Sequence, residues 1–338
     1  MNFKIKTSFL LLFVLNFFFA QTITFVSERS GQPLTKVSVF GKDGNILGFS
    51  DIDGKIEKSA VKPEQEKFKL IYDNLVLAEL SYAEINKDVV KLNDKVKEIE
   101  TVVIKKSKPA KYLFIKGNFN AYVTVNNMLN CYVDGVATYV FDNKTRKVKD
   151  IHVEQYRIFR LESATNEKKE TGSWDYNSWM EMPKMKNVGN YEDYQTRRFK
   201  IKELKGTFKD EIEVTGEAFQ EKELSFLGYR IYDLRSVMNL SFEKESKKQL
   251  RDFTEYNEIM YIKLKHKSEA DYNQVIVYKN FHPTELDYAD KDSVQEVKYN
   301  KNQSNYSTKY WEDPSFPNMQ TVFSSFFKDD LKEKQNAK

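Results

Sequence analysis

From residue 22 onward the chain is built from runs in which apolar and polar residues alternate. "TITFVSE", "KVSVFGK", "KFKLIYD" and "LVLAELSY" come first; "YLFIKGNFNAYVTV", "CYVDGVATYVF" and "YNQVIVYKNF" follow. A period of two sends every second side chain to one face, which suits a strand with a buried side. The 25 Phe and 20 Tyr favour strands, and 12 Gly with 7 Pro are too few for a low-complexity or collagen-like chain. A length of 338 residues suits two domains. The expected fold is mainly β. An N-terminal β-sandwich is followed by a larger curved antiparallel sheet with a C-terminal amphipathic helix.

The first residues read differently. Lys4 and Lys6 precede the apolar run "SFLLLFVLNFFFA", which ends at Ala20-Gln21. A basic start, a short apolar core and a small residue at the boundary predict a secretory signal peptide over residues 1–21. No Cys stands at the boundary, so a lipoprotein anchor is not expected, and no later run is apolar enough to span a bilayer. The expected location is the periplasm or the outer-membrane surface. Lys+Arg 54 against Asp+Glu 50 gives +4, and removing Lys4 and Lys6 brings the mature chain closer to neutral. That balance leaves no electrostatic footprint for nucleic acid. Cys131 is the single cysteine, so no internal disulfide is expected and a buried thiol is.

Residues 22–92 hold six short strand-like runs separated by Gly, Pro, Asn and Asp, the pattern of a β-sandwich. Gly31-Gln32-Pro33-Leu34 and Asp43-Gly44 read as turns. The stretch Asp51-Ile52-Asp53-Gly54-Lys55 invites a calcium-loop reading. An EF-hand loop needs an oxygen ligand at position 5 and glycine at 6. Here Gly54 falls at 4 and the cation Lys55 at 5, so the stretch predicts a turn. The order Gly-Gln-Pro-Leu, Val-Ser-Val, then Ser50-Asp51-Ile52-Asp53-Gly54-Lys55-Ile56 resembles the carboxypeptidase-regulatory-like domain, a transthyretin-like sandwich grouped with carbohydrate-binding-like folds. Ser stands for the usual Thr and Ile56 for the usual aromatic. "KLNDKVKEIETVVIKK" (91–106) is similar to the segment that closes such domains in exported Bacteroidetes proteins. The resemblance covers 22–106 and implies a sandwich that accompanies another domain, with no peptidase activity. Such domains often precede a large outer-membrane barrel, for which too little sequence remains here.

"KKSKPA" (105–110) contains Pro109, and 107–111 reads as a linker. The second domain, 112–335, carries longer aromatic-rich strands, with turns expected at Asp134-Gly135, Asp142-Asn143 and Asn280. Residues 223–249 fit helix or strand equally. After Pro317, Met319, Val322, Phe323, Phe326, Phe327 and Leu331 follow a helical spacing. That apolar face is expected to pack on the sheet, with partner or membrane docking as the alternative. A curved sheet with a helix against it resembles, in architecture alone, the half-barrel of periplasmic lipid or lipoprotein carriers. "YVDGVATYVFD" resembles a segment of uncharacterised exported Bacteroidetes proteins.

Catalytic signatures are sparse. The three histidines, His152, His266 and His282, include no His-Glu-x-x-His pair. His282-Pro283-Thr284-Glu285 has a zinc-peptidase spacing, but no later His supplies a third ligand and Pro283 disfavours a helix. His152-Val153-Glu154 lacks the Pro-Cys-x-x-Cys partner of a deaminase, and is expected among surface charges. No nucleophile elbow or phosphate-binding glycine loop occurs. Neither a metal nor another cofactor is expected. The remaining candidate is the aromatic insertion 172–194, "GSWDYNSWMEMPKMKNVGNYEDY". Its Trp174, Tyr176, Trp179 and Tyr191, joined by Trp311, form the expected ligand-binding set. The competing reading has the insertion fold back to cap the sheet. The expected function is a non-enzymatic envelope protein that binds an envelope protein, a glycan or an apolar ligand. A periplasmic hydrolase or a purely structural accessory protein are the alternatives.

Overall fold

The structure, a computed structural model, describes residues 21–94, 103–104, 110–166, 176–186, 188–194, 198–219, 223–314 and 316–336. The expected signal peptide, apart from Gln21, and Trp174 lie outside these residues. The chain divides into two compact units, one formed chiefly by residues up to Asp94 and one from Lys95 onward.

The first unit is a two-sheet sandwich. Its strands are β1 (Thr22–Ser27), β2 (Ser38–Gly41), β3 (Ile46–Phe49), β4 (Lys55–Glu57), β5 (Lys67–Tyr72), β6 (Leu75–Ser81) and β7 (Val89–Leu92). One sheet runs β4-β1-β7 and the other β3-β2-β5-β6. Alternation has the expected result: Ile23, Phe25, Val39, Phe68, Leu70, Val90 and Leu92 meet in one apolar core. The β1–β7 pair is parallel, a departure from the simple antiparallel pattern. The Asp51–Gly54 stretch is a turn, but it joins β3 to β4 across the two sheets rather than closing a hairpin. An Asp51 carboxylate oxygen accepts the backbone N–H groups of Asp53 (3.0 Å) and Lys55 (2.9 Å), and Gly54 takes φ +73°. The aspartate is thus spent on the turn's own donors.

The second unit is one large sheet. Its strands are β8 (Val103–Ile104), β9 (Tyr112–Val125), β10 (Met128–Asp142), β11 (Val148–Leu161), β12 (Phe199–Lys205), β13 (Lys209–Phe219), β14 (Leu224–Phe226), β15 (Tyr229–Glu243), β16 (Phe253–His266), β17 (Asn273–Ala289) and β18 (Leu331–Glu333). The order is β12-β13-β15-β16-β17-β9-β10-β11-β18, with β14 beside β15 and β8 beside β17. All pairings are antiparallel except β8–β17. Val103 and Ile104, expected to close the sandwich, instead align with Glu285 and Leu286 of this sheet.

One face gathers the main core, including Ile115, Phe119, Val123, Cys131, Val133, Tyr139, Phe141, Leu240, Phe242 and Phe281. The insertion folds back onto this face and buries Met180, Met185, Val188 and Tyr191. Two core tyrosines hold it by main-chain carbonyls: Tyr139 Oη donates to Pro183 O at 2.6 Å and Tyr299 Oη to Met180 O. On the opposite face the helix Met319–Phe327 sets Phe323 edge-on against Tyr122 (5.2 Å) and Tyr132 (5.5 Å).

Several local expectations need correction. Of residues 223–249, which fit helix or strand, 224–226 and 229–243 are the strands β14 and β15 and 244–249 are turn and coil; β15 has hydrogen-bonded neighbours on both edges. Asp134-Gly135 is no turn. It lies within β10, where a Cβ on Gly135 would come within 2.3 Å of Gln155 O; the glycine serves close strand approach. Asn280 likewise lies within β17. Asp142-Asn143 does turn the chain, with Asp142 Oδ1 accepting from the Thr145 N–H at 2.7 Å. The C-terminal helix stops at Phe327, and Leu331 belongs to β18 opposite Leu161. Lys328 leaves helical geometry at φ +27°, and beyond it the Asp330 carboxylate accepts from the Ser163 N–H (2.8 Å) and hydroxyl (2.6 Å).

Candidate functional site

On the face away from the main core, four strands line up one register row: Glu285 (β17), Lys116 (β9), Thr138 (β10) and His152 (β11). The next row holds Asp287, Phe114, Val140 and Asp150. Two β-bulges frame these rows. In β11, Val153 and Gln155 face consecutive residues of β10, which leaves Glu154 as the extra residue. In β17, Pro283 and Glu285 face consecutive residues of β9, which leaves Thr284 as the extra one. A bulge re-aims side chains and tolerates a proline with no N–H to give the ladder. Gly117 makes the second bulge possible, since any Cβ there would lie 2.1 Å from His282 O.

The result is a cleft of about 320 Å³ lined by Phe114, Lys116, Thr138, Glu154, Glu285 and Asp287 below and by Lys291, Ser293, Val294 and Gln295 of the following loop above. Lys116 Nζ donates to Glu154 Oε2 at 2.5 Å, and Thr138 Oγ1 donates to Glu154 Oε1 at 2.7 Å. Phe114 and Val294 supply an apolar wall. The lining therefore offers carboxylate acceptors, ammonium donors, hydroxyls and one apolar surface within a small volume, at the lower end of ligand sites.

His152 holds the loop to the sheet. Its Nε2 lies 2.8 Å from Asp292 and its Nδ1 2.9 Å from Glu296. Each ring nitrogen thus faces a carboxylate, an arrangement that favours the protonated ring, in which both nitrogens donate. Burial pulls its pKa down, but the hydrogen bonds to Asp292 and Glu296 and the nearby charges of Asp292 and Asp150 outweigh that and raise it. The backbone adds Val297 N–H to Val153 O at 2.8 Å. His152 was expected among surface charges; it is instead buried, and Asp292 and Glu296 form a clamp around it. Asp150, His152 and Asp292 present ligand atoms within 4.8 Å of one another, a set able to hold a divalent cation if it displaced the imidazolium proton. His282 sits in β17, three strands away, and His266 at the far end of β16, so the histidines do not converge.

A second polar constellation lies in the same sheet. Asp134 and Arg157 are register partners and form a bidentate pair, Nε–Oδ1 3.0 Å and Nη2–Oδ2 2.6 Å, with both side chains buried. Tyr132 Oη donates to Oδ2 at 3.0 Å and Tyr310 Oη to Oδ1 at 2.7 Å. Trp311 lies 4.1 Å over the guanidinium. The same row continues through Asn120, Asn280, Asn257 and Asn239.

The aromatic set expected from sequence is divided. Tyr176 and Trp179 are half-buried against the main core, 6.1 Å apart, and Tyr191 is buried 6.1 Å from Phe242. Trp311 is on the opposite face, engaged with Arg157. The cleft residues carry no sequence signal of their own beyond Pro283 inside a strand-like run, which hints at a bulge.

No known family model matches the chain, and no curated protein does. Among solved structures, one titled "Lipid-protein interactions in lipovitellin" aligns at 8% identity and a TM-score of 0.28. It covers 56% of this chain and 27% of that one. No helix among the described residues is long and apolar enough to cross a membrane.

Proposed function

We propose that the chain is an exported, non-enzymatic binding protein of the cell envelope, and that the cleft between β9, β10, β11, β17 and the 290–297 loop takes a small hydroxylated ligand of the size of a sugar ring. The observation that carries this reading is the pair of bulges, which brings Glu154 into the cleft and aligns Glu285 with Lys116. A polyol matches that lining. Its hydroxyls donate to Glu285 and Asp287 and accept from Lys116 and Lys291, and its C–H face meets Phe114 and Val294. The basic and apolar leader supports export. The binding role is favoured over catalysis because both ring nitrogens of His152 are engaged by loop carboxylates and neither other histidine joins it at the cleft.

Saturation-transfer NMR of the mature chain with a panel of mono- and disaccharides tests the reading. Transfer to at least one sugar, lost in Glu285→Gln and Asp287→Asn variants that melt like the parent, is expected. Absence of transfer across the panel, or transfer unchanged in both variants, would overturn it.

A further inference from the structure

The β14–β15 hairpin ends in an apolar tip that the fold does not use. Phe226 and Tyr229 face each other as the last pair, and Leu227-Gly228 form the two-residue loop with φ +48° and +83°. Positive φ at both positions is the type I′ pattern, which favours Asn-Gly. Leucine at positive φ is sterically costly. Leu227 is also 80% exposed, with Phe226 at 61% and Leu224 at 43%, so the strained residue contributes no core packing in return. Its identity serves neither the turn nor the core.

Behind the tip the hairpin is firmly rooted. Tyr229 and Ile231 pack on the main core, and Lys267 N–H donates to Gly228 O at 2.8 Å. Tyr232 and Tyr272 stand 5.9 Å apart at this level. Arg230 and Lys265 are direct cross-strand neighbours, a like-charge pairing that destabilises a sheet unless an anion lies near. Glu223 compensates in part, 3.5 Å from Arg230, while Lys265 donates to Ala270 O and lies over Tyr272. Exposed Lys263, which stands opposite Asp233 across the strands, and Lys267 flank the pair, with Glu269 and Asp271 in the adjoining loop.

We infer that this hairpin is a membrane-docking finger. Phe226 and Leu227 enter the interfacial layer of an anionic phospholipid bilayer, the tyrosines sit at headgroup depth, and Arg230 and Lys265 meet lipid phosphates. A convex two-residue tip presents no groove to a shaped partner but fits fluid acyl chains. Behind the apolar tip come the Arg230–Lys265 pair and then Tyr232 beside Tyr272, so cationic and aromatic groups follow the tip at headgroup depth. The contact is peripheral and needs no spanning segment.

Co-sedimentation of the mature chain with phosphatidylglycerol/phosphatidylethanolamine vesicles, against phosphatidylcholine vesicles, tests this. Wild type is expected to pellet with the anionic vesicles, and less so at high salt. Phe226→Ser and Leu227→Asn should each weaken binding about ten-fold or more, since one apolar side chain no longer leaves water. Leu227→Asn suits the turn, so its melting temperature should hold or rise, which separates lost docking from lost folding. Failure of wild type to pellet, or pelleting of Leu227→Asn like wild type, would overturn the inference. So would a solution dimer that Phe226→Ser dissociates, because the tip would then belong to a second copy.

Discussion

Replacing Asp134 by Asn perturbs the most buried charge pair of the large sheet. Four donors converge on this carboxylate: Nε and Nη2 of Arg157 and the hydroxyls of Tyr132 and Tyr310. Asn keeps the shape but has one acceptor oxygen and no charge. The tyrosine hydroxyls can rotate to new partners, whereas the guanidinium cannot shed its proton. Burial opposes the Arg157 charge, but Asp134 outweighs it and raises the Arg157 pKa further. Removing that partner leaves a buried cation under Trp311 with only the more distant Glu333 carboxylate to offset it. Breaking one side of such a pair costs about 3–5 kcal/mol. For a unit of this size that converts to a fall of roughly 6–20 °C in melting temperature. Differential scanning calorimetry of Asp134→Asn, Arg157→Met and the double variant gives the coupling directly. The double should cost at least about 1 kcal/mol less than the sum of the singles, because it removes both charges together. A shift below about 3 °C in Asp134→Asn, or strictly additive costs, would refute the reasoning.

The remaining expectations concern the loop, the insertion and the cleft. The raised folded pKa of His152 means that its stabilisation is complete below the unfolded value of about 6.5 and fades as pH rises through the folded value. Thermal stability of the parent should therefore decline across that rise more steeply than in His152→Gln; parallel pH profiles would contradict the clamp. Met185→Ala should cost about 2–5 kcal/mol in denaturant melts, because Met185 is the insertion's fully buried anchor on the main core; a cost below about 1 kcal/mol would mean that the insertion does not cap the core. Tyr139→Phe orphans the Pro183 carbonyl and should cost about 1–2 kcal/mol by the same assay, with no change at all counting against that hydrogen bond.

The mainly-β fold was legible because alternation is a local property. Ile23, Phe25, Val123, Val133 and Tyr139 occupy the buried positions that a period of two assigns them. The Asp51–Gly54 turn was legible because its hydrogen bonds run between residues two to four apart. What failed was the use of residue type without context. Gly135 and Asn280 carry turn chemistry but serve close approach and a transverse polar row. The cleft was not legible because it is wholly non-local. Glu285 meets Lys116 through strand order, and His152 finds Asp292 and Glu296 at separations of 140 and 144 residues. The aromatic insertion stood out for its composition, yet Met180, Met185, Val188 and Tyr191 show that much of that composition packs the sheet.

The cleft is tested most directly by backbone amide shift mapping in a TROSY spectrum of the mature chain, titrated with the sugar that gives the strongest saturation transfer. The account predicts that perturbations concentrate on Lys116, Thr138, Glu154, Glu285, Asp287 and Lys291. Perturbations gathered instead around Tyr176 and Trp179, with the cleft amides unmoved, would contradict it and return the site to the aromatic insertion.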